Sequence, residues 1–189
     1  VLSRTFRQSG IVSDAARNSD PSNRLLSFYP TRRLEAESIR DAILAVSGAL
    51  DPVLYGRPVF PYRRAEDANK RLFSGPLDGG GRRSVYLQMS IMQPPEFLVG
   101  FNLPDVRLPS GRRDATQVPA QALTLLNDPF VRHGAGVWAQ RVRAQEPGSL
   151  SLKIRTMLEC AFGRPPAAAE LREWEGALAL FGGESAFAW

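Results

Sequence analysis

One cysteine and one histidine, Cys160 and His133, occur in 189 residues. That scarcity excludes an intrachain disulfide, a Cys/His zinc cluster and a two-histidine metal site. It also excludes a C-x-x-C-H haem attachment within these residues. Lysine is nearly missing: Lys70 and Lys153 are the only two, so almost all of the 24 cations are arginine. No apolar run approaches the roughly 18 residues that a membrane-crossing helix needs. The chain opens Val1-Leu2-Ser3, with no initiator methionine or signal peptide, and closes on the apolar Ala186-Phe187-Ala188-Trp189. Such ends are those expected of an internal piece of a longer polypeptide.

What is there is globular material, 43% hydrophobic and 23% charged, enough to bury a core. The net charge of +5 sits mainly in residues 51–115, which hold ten cations against seven acids. Basic pairs occur at Arg32-Arg33, Arg63-Arg64, Lys70-Arg71, Arg82-Arg83 and Arg112-Arg113. Acids interrupt them, and a nucleic-acid interface wants a continuous basic face, so a nucleic-acid partner is not expected. The plainer use of arginine is as a forked donor that pins loops to carbonyls and carboxylates.

The expected fold is mainly α: an irregular helical domain with long Gly/Pro-rich loops and one short β element, with α+β as the alternative. Residues 1–189 are taken as one domain fragment. Residues 1–30 read as the tail of a preceding element and a loop, with turn chemistry at Ser13, Asp14, Asn18, Ser19, Asp20 and Pro21. Residues 31–50 read as a helix capped by Thr31 and ended by Gly48, with Ile39, Ile43, Val46 and Leu50 on one face. Arg33–Glu37 and Glu37–Arg40 are spaced as ion pairs on it. Residues 51–115 are loop-rich, because the glycines and prolines in 51–83 forbid a long element. Within them Val85, Leu87 and Met89 alternate, predicting a strand over 84–89.

Residues 116–182 read as helices. Thr116 is the expected cap of the first, with Pro119 in its first turn and Leu123 and Leu126 inside. Asp128 and Pro129 start the second, with Phe130, Val137, Trp138 and Val142 inside. Ser149 caps the third, with Ile154, Met157, Leu158 and Phe162 inside. The fourth follows Arg164-Pro165-Pro166, with Leu171, Trp174, Leu178 and Phe181 inside, and stops at Gly182-Gly183.

Candidate chemistry is sparse. His133 has no orienting acid or nucleophile assigned to it by spacing. Cys160 reads as a buried, inert thiol, since no helix N-terminus stands by to lower its pKa. Glu37 and Asp41, i and i+4 on a helix, have the spacing of an acid–base pair or of a solvated, ion-paired face. Gln121 and Asn127 flank Leu123-Thr124-Leu125-Leu126, and a buried amide there would lock a loop onto the helix. Gly79-Gly80-Gly81-Arg82-Arg83-Ser84 is no phosphate loop, because such a loop follows a strand and opens a helix. A flexible tip or a tight loop is expected.

The order of motifs carries a family resemblance. Thr5-Phe6-Arg7-Gln8-Ser9, Asp20-Pro21-Ser22-Asn23-Arg24-Leu25-Leu26 and Arg32-Arg33-Leu34-Glu35-Ala36-Glu37-Ser38-Ile39-Arg40-Asp41 come first. Val46-Ser47-Gly48, Arg82-Arg83-Ser84-Val85-Tyr86, Thr116-Gln117-Val118-Pro119-Ala120-Gln121-Ala122-Leu123, Leu126-Asn127 and Gly163-Arg164-Pro165-Pro166 follow. Together they resemble, over nearly the whole chain, the C-terminal domain of unknown function (number fifteen fifty-three) of planctomycete-type cytochrome-c-associated proteins. The resemblance implies an exported, periplasmic or cell-surface protein of several domains, with haem c on an upstream domain and no cofactor or metal in this segment. It implies upstream domains of the same polypeptide as partners, and a polysaccharide or a redox partner in a polysaccharide-degradation setting. No reaction is implied. The chain departs from the family pattern at Ala167, where a capping Thr or Ser is usual, and between Gln93 and Ser110, where Phe101 and Asp105 are the nearest echoes of an aspartate-rich phrase. Arg33, Glu37, Arg40, Arg83, Tyr86, Gln121 and Asn127 match its polar motif positions and are the candidate binding residues, or a structural network. A carbohydrate-active enzyme domain whose carboxylates, Glu37 and Asp41 or Asp105, act together with upstream residues is the alternative, and a nucleic-acid-binding module the third reading.

Overall fold

The computed structural model describes residues 3–181, and the chain divides at Leu34 and Glu35 into two compact units. The first unit is held by polar side chains rather than by a core. Ser13 caps a short helix, α1 (Asp14–Ser19), accepting from the Ala16 amide at 3.2 Å. Asp20 is buried, and its carboxylate accepts from the amides of Arg24 and Leu25 at 2.9 and 2.7 Å. Asn23 ties in Phe28, donating to its carbonyl at 2.9 Å. Phe6 stands edge-on to Tyr29, ring centroids 5.5 Å apart. The turn chemistry of this segment was legible, but α1 was not.

The second unit is helical: α2 (Ala36–Ser47), α3 (Glu96–Gly100), α4 (Pro119–Asn127), α5 (Pro129–Gln145), α6 (Leu150–Phe162) and α7 (Ala168–Leu180). α5 is the spine. It packs on α2, α4 and α6, and α6 carries α7. Gly134 lets α2 come close, since a Cβ there would lie 3.0 Å from Ile43 Cγ2. Two apolar clusters form. One joins α5 and α6 through Ala139, Val142, Ile154 and Leu158, with Leu171 and Leu178 of α7 packed against it. The other joins α2 and α3 to the loops through Ala36, Leu87, Leu98 and Phe101.

The mainly α expectation holds, with corrections inside it. α2 begins at Ala36, with Glu35 and not Thr31 at its N-cap. Its most buried positions are Ala36, Arg40, Leu44 and Ser47, with Ile39, Ile43 and Val46 only partly buried beside them. The expected strand at 84–89 is a 3-10 turn, Ser84–Tyr86, followed by an isolated bridge from Leu87 to Val59. Its alternation survives as burial of Leu87, while Val85 is 72% exposed. With no strand among the described residues to extend the ladder, a hydrogen-bonded turn satisfies the backbone instead. The loop from 51 to 83 is stapled by similar bridges, Asp51 to Arg82 and Asp67 to Leu72.

Helix α4 begins at Pro119 after Val118, not after Thr116. Its inner face carries Gln121 and Thr124, so Leu123 and Leu126 point outward, 58% and 71% exposed. Asp128 and Ser149 cap α5 and α6 as expected, accepting from Phe130 and Leu152 amides. Phe162, at the last position of α6, and Trp174 and Phe181 on the fourth expected helix are exposed rather than inside. Leu171 and Leu178 do pack on the core. Ala167 lacks a capping side chain, and Glu170 supplies the cap by accepting from the Ala167 amide at 2.8 Å. The expected stop at Gly182-Gly183 lies outside the described residues.

Candidate functional site

Arg40 stands on the innermost stripe of α2 and is 5% exposed. A cation placed there must find acceptors, and it finds them in the loop from 78 to 84. Nη1 donates to the Arg82 carbonyl at 2.9 Å and to the Ser84 hydroxyl oxygen at 3.2 Å. Nη2 donates to the Asp78 carbonyl at 2.5 Å. Asp41, the next residue, accepts from both the amide and the hydroxyl of Ser84 at 2.7 Å. The same carboxylate lies 3.6 Å from Arg40 and 3.6 Å from Arg83. Two adjacent helix residues thus clamp a loop along α2. Burial pushes the Arg40 guanidinium below its usual value, and the Asp41 and Asp78 charges push it back.

The glycine run lets the loop come this close. Gly79 and Gly81 are left-handed, at φ +66° and +72°. A Cβ on Gly79 would lie 2.7 Å from Arg40 Nη2, and one on Gly81 would collide with the Ala49 carbonyl oxygen. The run is a tight loop, one of the two forms expected of it.

Neighbouring residues repeat the theme. Arg82 donates to the carbonyls of Val53, at 2.8 Å, and Tyr55, and lies over the Tyr86 ring at 4.1 Å. The Tyr86 hydroxyl oxygen accepts from the Tyr55 amide at 2.6 Å. Glu37 accepts from Arg113 at 2.7 Å, and Glu35 lies 3.2 Å from the same guanidinium. Glu37 therefore pairs with a distant loop and not with Arg40. Burial alone would raise its carboxyl, but the Arg113 bond and charge hold it below the usual carboxylate range. Gln121 donates to the Gly100 carbonyl at 3.1 Å and the Asn102 side chain at 3.2 Å, and accepts from the Val118 amide.

Of the candidate residues, Glu37, Arg40, Arg83 and Tyr86 gather around α2 and the 78–86 loop. Gln121 locks α4 to the end of α3. Asn127 is exposed and donates to the Leu123 carbonyl of its own helix at 3.0 Å. Arg33 belongs to the first unit. Asp105 sits in a surface loop, and the hydrogen bonds from Arg107 bring its carboxyl down to about 2. His133 is exposed on α5, in a shallow groove with Leu125, Leu126 and Arg132. Cys160 is exposed, not buried. It lies two residues past Leu158, which on a helix is the opposite face, and Arg141 Nη2 stands 3.4 Å from its sulfur. Among the described residues no group of three or more His, Cys, Asp and Glu is placed to hold a metal. Nor is any described helix long and apolar enough to cross a membrane.

One concavity adjoins the clamp. It is a cleft of about 70 Å³ lined by Arg40, Arg63, Arg64, Glu96, Phe97 and Phe130, among others. Phe97 packs between Phe101 and Phe130, centroids 5.1 and 5.3 Å away, and Arg40 lies 5.4 Å over the Phe130 ring. Arg63 is 8% exposed and donates to the Gln93 carbonyl at 2.7 Å. Sequence reasoning had Arg63, Ser84 and Arg113 only as members of basic pairs or motif words. The glycine triplet was the signal for Ser84. Nothing in the spacing marks Arg63 or Arg113.

The family described as protein of unknown function (DUF1553) matches residues 1–178. No curated protein and no solved structure matches the chain. The chain belongs to that family.

Proposed function

We propose that this member of the family is a holding module, not a catalyst, within a larger exported polypeptide. In this reading it packs against upstream domains, one of them carrying haem c, and helps position a polysaccharide or a redox partner. The observation that carries it is the apolar surface left on α4 and the start of α5. Val118, Leu123, Leu125 and Leu126 are all more than 40% exposed, and the groove beside them reaches Val131 and His133. Contiguous exposed apolar surface marks a site that another surface covers.

The carboxylates support the same reading. A general acid for glycoside cleavage needs a raised pKa, whereas arginines hold Glu37 and Asp105 low. The test compares residues 1–189 alone with the same residues joined to their native upstream polypeptide. Alone, the chain is expected to bind a hydrophobic dye and self-associate; joined, it should do neither. A dye-silent monomer, or glycan turnover by residues 1–189 alone, would overturn the reading. A Soret band in the native protein tests the haem context.

A further inference from the structure

We infer that the cleft between Arg40 and Arg63 is a carboxylate-binding site. The starting point is an imbalance at Arg63. Arg63 is 8% exposed as a whole residue, yet its buried Nε–H has no acceptor among the described residues, and a carbonyl takes only Nη1. A buried cation donor without a partner is costly, and burial pushes Arg63 below its usual value. Glu96 gives it charge at a distance, but that carboxylate leans to Arg64, 4.0 Å away. Asp128, the other acid in the lining, is occupied as the cap of α5 through the Phe130 amide. Of the three arginines in the lining, Arg40 spends its donors on the 78–84 loop beside Asp41 and Arg64 faces Glu96, so Arg63 is the one without a carboxylate partner among the described residues. A planar oxyanion is what a guanidinium fork matches.

The remaining walls choose among oxyanions. Pro61, Leu77, Pro95, Phe97, Pro129 and Phe130 are apolar, which suits a carboxylate on an aromatic or aliphatic stem better than a fully hydrated inorganic anion. A volume of about 70 Å³ is room for roughly two waters at about 30 Å³ each, enough for the carboxylate group itself with its stem toward the mouth. The source is either a free small acid or the carboxylate end of a longer chain. This deepens the holding-module reading by naming what one pocket of it takes, and it uses a different surface from the α4 face, so each fails separately.

The test is titration of the whole chain with benzoate, read by calorimetry and by thermal melting, with benzamide and sulfate in parallel. Benzoate should bind saturably and raise the melting temperature, and benzamide should not. Sulfate binding as tightly as benzoate would overturn the choice of carboxylate. Arg63→Met should weaken benzoate by roughly ten- to a hundredfold, the range of a lost charge-assisted hydrogen bond. The unliganded R63M chain should melt no lower than the parent, because the buried charge goes with the lost Gln93 contact. Glu96→Gln, which removes the competing carboxylate, should tighten benzoate. A polyethylene glycol ending in a benzoate carboxylate, set beside the same polymer ending in the uncharged amide, separates the two sources. If the acid-ended polymer binds no better than the amide-ended one while free benzoate binds tightly, the site takes a small acid; if it binds as well as free benzoate, the site takes a chain end. No melting shift with benzoate, or an R63M chain that loses stability while keeping its affinity, would overturn the site while leaving the α4 reading intact.

Discussion

Replacing Arg40 by leucine would complete the apolar stripe of α2, yet it would strip donors from the carbonyls of Asp78 and Arg82 and leave Asp41 without its neighbour. Removing one partner of a buried ionic cluster costs about 3–5 kcal/mol, and urea unfolding of R40L should show a loss of that size. Arg40→Lys keeps the charge but lacks the fork, and should fall between that variant and the parent. The loop supplies an internal contrast. Gly81→Ala meets the Ala49 carbonyl as well as a left-handed backbone, whereas at Gly80 nothing lies within 4 Å. G81A should cost more than about 2 kcal/mol and G80A about 1 kcal/mol in the same assay. At this scale the sequence was half legible. Gln121 as a loop-locking amide could be read, because a polar residue among leucines on a helix needs partners. Arg40 as the buried centre could not, because the apolar pattern of Ile39, Ile43 and Val46 describes a face one residue away.

Among the elements, caps and prolines announced themselves: Asp128-Pro129 and Ser149 start helices because their side chains answer amides that a helix leaves open. Asp128→Ala should cost about 1 kcal/mol, read by the urea midpoint. Gly136 on α5 faces open space, with nothing within 4 Å of where a methyl group would stand. Gly136→Ala should therefore stabilise by about 0.5–1 kcal/mol through helix propensity alone, in the same assay. What failed was the strand at 84–89. Period-two alternation also arises where a turn buries one residue and exposes its neighbours, and only a partner strand tells the two apart. The outward leucines of α4 misled for a related reason: periodicity marks an apolar face without saying whether this chain or another covers it.

For the molecule as a whole, acid is the informative perturbant. Glu37 and Glu170 both have folded-state carboxyls below the ordinary value of 4.5, Glu170 at about 2 through Arg164 and the Ala167 amide. A depressed carboxyl adds stability that is fully present above the unfolded value and is lost as pH falls through the folded one. The urea midpoint should therefore drop as pH falls from about 4.5 toward 2, and Glu170→Gln should flatten part of that slope; a midpoint level across this window would contradict both assignments. The arginines have one more consequence. Arg40, Arg63 and Arg82 all grip main-chain carbonyls, of Asp78, Arg82, Gln93, Val53 and Tyr55. A carbonyl is the same whatever side chain its residue bears. The path of the long loop is thus set in part by guanidinium groups that read only backbone, Arg40 from α2 and Arg63 and Arg82 from the loop itself, so a mutational scan should find a gripped residue such as Val53 more tolerant of substitution than the three arginines that do the gripping.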